Sequence, residues 1–136
     1  MKNLKYLELK TSQRNQLLDL MPHIGKFLRE LNAVDGILMV FVPHTTAAVT
    51  INENADPDVK SDILSYLSQL IPADAGFRHM EGNSDAHIKS SLVSPSLTVL
   101  ISDGKVVLGT WQSIFFCEFD GPRTRKLYLK YIPDPA

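Results

Sequence analysis

The chain is expected to form an α+β domain that is β-rich and sandwich-like, with mostly antiparallel sheets and two to three flanking helices. Three observations carry this. The apolar patterns run in the order ββα, ββα, a long polar loop, then four strands, which does not alternate as a parallel βαβ fold does. Asp103-Gly104 stands between two apolar runs, a strong short hairpin signal. No repeat, linker or low-complexity segment divides the 136 residues, so residues 1–136 read as one domain.

The elements follow in order. Leu4 and Tyr6 to Leu9 suggest a first strand, and Gln16 to Leu18 a short second one. Leu20, Ile24, Phe27, Leu28 and Leu31 share a helical face, with Asp19 as N-cap and Pro22 tolerated in the first turn. Gly25 weakens that helix by about 1 kcal/mol. Gly36 punctuates, Ile37 to Val42 reads as a buried strand ended by Pro43, and Ala47 to Ile51 as the next. Asp56-Pro57 combines a cap with a first-turn proline, and Val59, Ile63, Leu67 and Leu70 continue that helix on one face. Residues 72–86 hold Pro, Gly, Asn and Asp without period and read as a loop, a length usually tied to function or disorder. His87 to Val93 suits a short helix. Leu97, Val99 and Ile101 alternate into the Asp-Gly hairpin with Lys105 to Leu108, and strands over Gln112 to Phe119 and Lys126 to Ile132 flank a Gly-Pro turn.

Composition narrows the partners. Fourteen basic against fifteen acidic residues, with no basic tract, give no support for nucleic-acid or anionic-lipid binding. The N-terminus lacks the apolar core of a signal peptide and no apolar run reaches membrane-spanning length, so a cytoplasmic protein is expected. The single Cys117 excludes an intrachain disulfide and a multi-cysteine zinc site. Placed between two phenylalanines, it reads as a core thiol.

Three of the four histidines fall in two polar clusters. His44 follows a strand and a proline and precedes Thr45 and Thr46; it reads either as a metal ligand or general base, or as a hydrogen-bonded turn histidine. His79, Glu81, Asn83, Asp85 and His87 occupy alternate positions, which in an extended segment would place all five on one side. Such imidazole and carboxylate groups suit zinc or another transition ion better than calcium, although the spacing matches neither a zinc finger nor HExxH. Asn52, Glu53 and Asn54 precede the capped helix. Glu118, inside an apolar strand, requires a cation, a metal or hydrogen-bond donors. Arg123 and Arg125 follow the Gly-Pro turn as phosphate contacts or surface ion-pair partners. Lys89, Ser90 and Ser91 offer further phosphate donors.

The segments HTTAAVTINENADPDV, RHMEGNSDAHIKSSL and GTWQSIFFCEFDGPR together resemble the YjbQ-like family, also called the secondary thiamine-phosphate synthase enzyme family. The resemblance implies a sandwich-like fold, a homotrimer, a pocket containing the matched histidines, and a weak thiamine-phosphate synthase activity on small phosphorylated molecules. It implies His44, His79 and His87 as metal or ligand contacts, with Asn83, Asp85 and Glu118 as pocket neighbours. On this basis His44, His79, His87, Asp85 and Glu118 are the candidate catalytic groups, and Thr45, Thr46, Asn83, Lys89, Ser90 and Arg123 the candidate substrate contacts. The ion would be zinc or a similar metal, or magnesium if the synthase reaction is used; a non-catalytic anion-binding module and a metal-dependent hydrolase are the alternatives. The chain departs from the family at Val93-Ser94-Pro95, where members carry a glycine. For the trimer, Ile114, Phe115, Phe116, Tyr128 and Tyr131 are the expected interface residues.

Overall fold

In the computed structural model, which describes residues 2–136, eight strands and three helices form. Five strands make one sheet in the order β1 (Leu4–Lys10), β8 (Thr124–Pro133), β3 (Gly36–Phe41), β5 (Ser96–Ser102), β6 (Lys105–Val106), and three make a second in the order β2 (Gln16–Asp19), β7 (Gln112–Glu118), β4 (Ala47–Glu53). All pairings are antiparallel. The β5–β6 turn places Asp103 and Gly104 both at positive φ, as the Asp-Gly pair predicts.

The core lies between the two sheets. Leu38, Val40, Val99, Leu127 and Leu129 of the larger sheet meet Val49, Ile114 and Phe116 of the smaller one. Helix α1 (Met21–Glu30) adds Ile24, Phe27 and Leu28 to the same cluster. Each such buried side chain contributes about 1.5–3 kcal/mol of transfer free energy. Its N-cap position is Leu20, but the Asp19 carboxylate still accepts the Met21 N–H at 3.0 Å. Helix α2 (Pro57–Leu70) is capped by Asp56, whose carboxylate accepts the Asp58 N–H. The outer face of β7 is covered by a smaller cluster in which Cys117, Phe119, Ala48 and Ala86 meet Leu64 and Leu67 of α2. Burial pushes the Cys117 thiol up to about 12.

Two expectations change here. Ile114, Phe115 and Phe116 are fully enclosed in the chain's own core, because β7 is the central strand of its sheet and is covered on both faces. Tyr131 is also buried, and its hydroxyl donates to the Asp35 carbonyl at 2.8 Å. Of the residues expected at an interface, only Tyr128 reaches the outer face of the large sheet. It stands there beside Tyr6 and Phe41, with ring centroids 5.6 and 6.4 Å away. The second change concerns 79–87. Helix α3 (Ser84–Val93) starts three residues earlier than its apolar pattern suggests. Positions two apart on a helix lie about 200° apart, so Asp85 turns inward while His87 turns toward solvent, and the one-sided array does not form.

Candidate functional site

The chain leaves β3 at Pro43, and His44 lies immediately beyond. Extending the β3–β8 register by two residues would set Pro43 opposite Lys126. The strand stops there, and the His44 ring takes over: its Nε2 accepts the Lys126 backbone N–H at 2.8 Å. A nitrogen that accepts carries no proton, so the neutral ring holds its proton on Nδ1. Burial lowers the His44 pKa, and the positive charge of Arg125, with Lys126 and Arg123, lowers it further against the opposing pull of Glu118. His44 is thus a neutral donor with a fixed tautomer.

Three hollows meet along this edge. One, of about 250 Å³, is bordered by His44, Thr45, His87, Ser90, Ser91 and Pro95. His44, Thr45 and Pro95 also border a second, of about 440 Å³, that reaches Phe41. His87 borders a third, of about 370 Å³, with Phe77, Arg78, His79 and Ile88. The shared residues join the three into one groove. The His79 and His87 rings meet edge to face at 5.5 Å, and His79 Nε2 lies 3.8 Å from Glu81. Ser90 is only 7% exposed, and its Oγ has no hydrogen-bond partner among the described residues.

The structure therefore gathers His44, Thr45, His87 and Ser90 around one hollow and brings His79 in through His87. It sets the other expected residues apart. Glu118 is wholly enclosed: Oε1 accepts from Arg125 Nε at 2.8 Å and from Thr11 Oγ1 at 2.8 Å, and Oε2 accepts from Arg125 Nη2 and from the Asp120 N–H. Burial alone would raise its pKa, but these bonds hold it below the usual carboxylate range. Arg125 Nη2 also donates to the carbonyl and hydroxyl of Thr46, which is buried with it. Asp85 is likewise buried, with both oxygens on Arg14 at 2.9 and 3.0 Å. Its pKa is held down against burial by that pair and by Lys89. Lys89 is buried rather than offered to a ligand: Nζ lies 3.5 Å from Asp85 and donates to Asn15 and Ser68, and burial lowers its pKa. Asn83 and Arg123 both donate to Asp120.

Arg14 escapes a motif search, and Arg125, expected at a phosphate or in a surface ion pair, is instead buried on Glu118, for which the sequence had a signal. Arg125 shares parity with Leu127, Leu129 and Tyr131 in β8, which is the buried face. Arg14 lies in a short polar link with no period to read.

Among the described residues no group of three or more His, Cys, Asp and Glu side chains converges on one point. With His44 Nε2 occupied and both inner carboxylates saturated by arginine, the three histidines of one chain do not fit a single ion. The stretch around Trp111 does not reach the groove either. It pairs with Asn52 and Glu53 at the far end of β4, six residues and about 20 Å from Ala47.

The model of the UPF0047 protein YjbQ-like family matches residues 5–134. The chain belongs to that family. Among YjbQ-like relatives, a UPF0047 protein of Methanocaldococcus jannaschii is 58% identical over 127 residues, covering 93% of this chain and 92% of the relative. UPF0047 protein YugU of Bacillus subtilis is 49% identical, over 93% of this chain and 97% of its own. A crystal structure of an uncharacterised YjbQ/UPF0047 family protein from Clostridium acetobutylicum superposes with a TM-score of 0.92 at 50% identity, covering 94% of this chain and 99% of that one. A hypothetical protein from Aeropyrum pernix gives 0.91 at 35% identity, over 96% and 98%. The α+β sandwich is thus a YjbQ-like fold. Among the described residues no helix is long and apolar enough to cross a membrane.

Proposed function

We propose that the groove binds a small phosphorylated molecule and that His44 and His87 hold its phosphate oxygens and stabilise the departing pyrophosphate. Ser90 carries this reading. A buried hydroxyl without a partner among the described residues is costly, and it borders the same hollow as His44, whose tautomer is fixed. An oxyanion there would accept from both, with the charge of Lys126 nearby, while Arg125 and Arg123 are already paired with Glu118 and Asp120. The resemblance to the family supplies thiamine-phosphate formation as the reaction, a secondary activity. In it a carbon–nitrogen bond forms between the pyrimidine methylene and the thiazole phosphate as pyrophosphate departs. Magnesium would enter with the diphosphate substrate rather than through protein ligands.

Purified protein incubated with both precursors should form thiamine phosphate, and His87→Ala should abolish it. Inorganic phosphate should raise the melting temperature of the native protein, whereas Ser90→Ala should fold normally and lose that shift. Equal shifts in both would overturn the phosphate site. A phosphate shift without turnover would leave a non-catalytic anion-binding module.

The paired rings of His79 and His87 beside Glu81 support a second reading, a transition ion completed by donors from outside this chain. Elemental analysis of untagged protein, with His79→Ala as control, tests it. The outer face of the large sheet supports a homotrimer, since Met39, Phe41, Leu100 and Ile132 are all exposed there. Phe41 also borders the groove, so a neighbouring subunit on that face would lie against the site.

A further inference from the structure

A second cleft, larger than any of the three hollows and sharing no lining residue with them, lies between α1 and the β5–β6 hairpin. Its volume is about 690 Å³, within the range of small-molecule sites. Met21, Leu28, Ala33 and Val106 give it an apolar floor, while Arg29 and Lys105 stand at its rim. Neither cation joins an ion pair among the described residues, and Asp103 is the one acidic group in the lining.

The walls are built to stay open. The hairpin is tied to the chain leaving α1 by the Gly104 N–H on the Val34 carbonyl at 2.8 Å and by the Asp103 N–H on Asp35 at 3.0 Å. Gly104 has φ +77°, and a Cβ there would meet the Ala33 carbonyl at 2.9 Å, so only glycine lets these walls approach. Gly25 sits mid-helix in the opposite wall, where helix propensity disfavours glycine. A Cβ on it would meet Arg29 Nη1 at 3.2 Å, so the missing side chain leaves room for the guanidinium across the cleft mouth. Gly25 thus lines the cleft without a side chain of its own projecting into it.

We infer that this cleft is a binding site for an amphiphilic monoanion, a carboxylate on an apolar body, held through Arg29 and Lys105 with the body on Leu28 and Val106. The two cations outweigh Asp103 by one charge, which matches a single carboxylate. The preformed walls leave little ordering to be done on binding.

Titration of the labelled native protein with octanoate, and separately with octanol, tests this by backbone amide shifts. Octanoate should shift Gly25, Leu28, Gly104 and Val106 saturably, and octanol should bind about tenfold more weakly for want of the charge-assisted bond. Arg29→Gln should bring octanoate down to the alcohol's affinity. Gly25→Leu, which places a strong helix former in α1, should fold and show no shifts at these residues. Absence of saturable shifts, equal affinity for acid and alcohol, or undiminished binding by Gly25→Leu would each overturn the inference.

Discussion

Arg125 meets both carboxylate oxygens of Glu118 inside the sandwich, through Nε and Nη2, at a point where neither side chain reaches water. The pair is closed by Thr11, Thr46 and the Asp120 N–H, so every strong site on the carboxylate is filled. A residue held this way is a fastening between β7 and β8 and leaves no lone pair for substrate.

Removing one partner should therefore be felt as lost stability. Glu118→Ala strands a buried guanidinium and is expected to cost about 3–5 kcal/mol in urea denaturation. A Glu118→Ala protein of wild-type stability but without activity would restore Glu118 as a catalytic base.

Acid should weaken the fold in two stages. His44 has a folded pKa below its ordinary value of 6.5, so the unfolded chain binds its proton first. Its contribution is complete above that value and fades as pH falls through the lower folded one. Asp85 and Glu118 are also depressed, from 3.8 and 4.5, so their contributions persist at mild acidity and are lost below those values. Urea midpoints across pH should fall monotonically on acidification, and His44→Gln should flatten the upper stage. A midpoint that rises between neutrality and pH values of about 5 would contradict this sign.

Ser94, which ends α3, has φ 124°, a conformation that suits glycine. Ser94→Gly should relieve about 1 kcal/mol of strain and raise the melting temperature, while Ser94→Val should lower it. Equal melting temperatures for all three proteins would show the turn to be unstrained.

Light scattering at micromolar concentration should give three times the chain mass. Phe41→Glu, a charge on the apolar outer face, should reduce it to a monomer while leaving the core intact. A single-chain mass for the native protein would remove the trimer.

The strands and two of the helices were readable because their signals are local: parity for β5 and β8, the Asp-Pro cap for α2, Asp-Gly for the hairpin. The start of α3 was not. Its buried face is Ser84, Asp85, Ala86, Lys89 and Ser90, so the helix has almost no apolar stripe to betray it. What seats it is the Asp85 pair with Arg14, seventy-one residues away in the chain, which no local pattern can report. The groove was half legible. His44, His87 and Ser90 were picked out by type; the need of Glu118 for an inward cation was legible in its apolar strand, whereas the burial of Asp85 and Lys89 depends on Arg14, distant in sequence.

The grip of His44 on the Lys126 amide has an evolutionary corollary. The ring is oriented by main chain, so the side chain at position 126 plays no part in choosing its tautomer. For the tautomer any residue there serves except proline, which has no amide hydrogen, while the charge of Lys126 still helps to lower the His44 pKa. A lineage could exchange Lys126 for an acidic or apolar residue and keep the same proton on the same nitrogen. Covariation between these two positions would report the charge of residue 126 alone and miss the backbone bond that governs the tautomer.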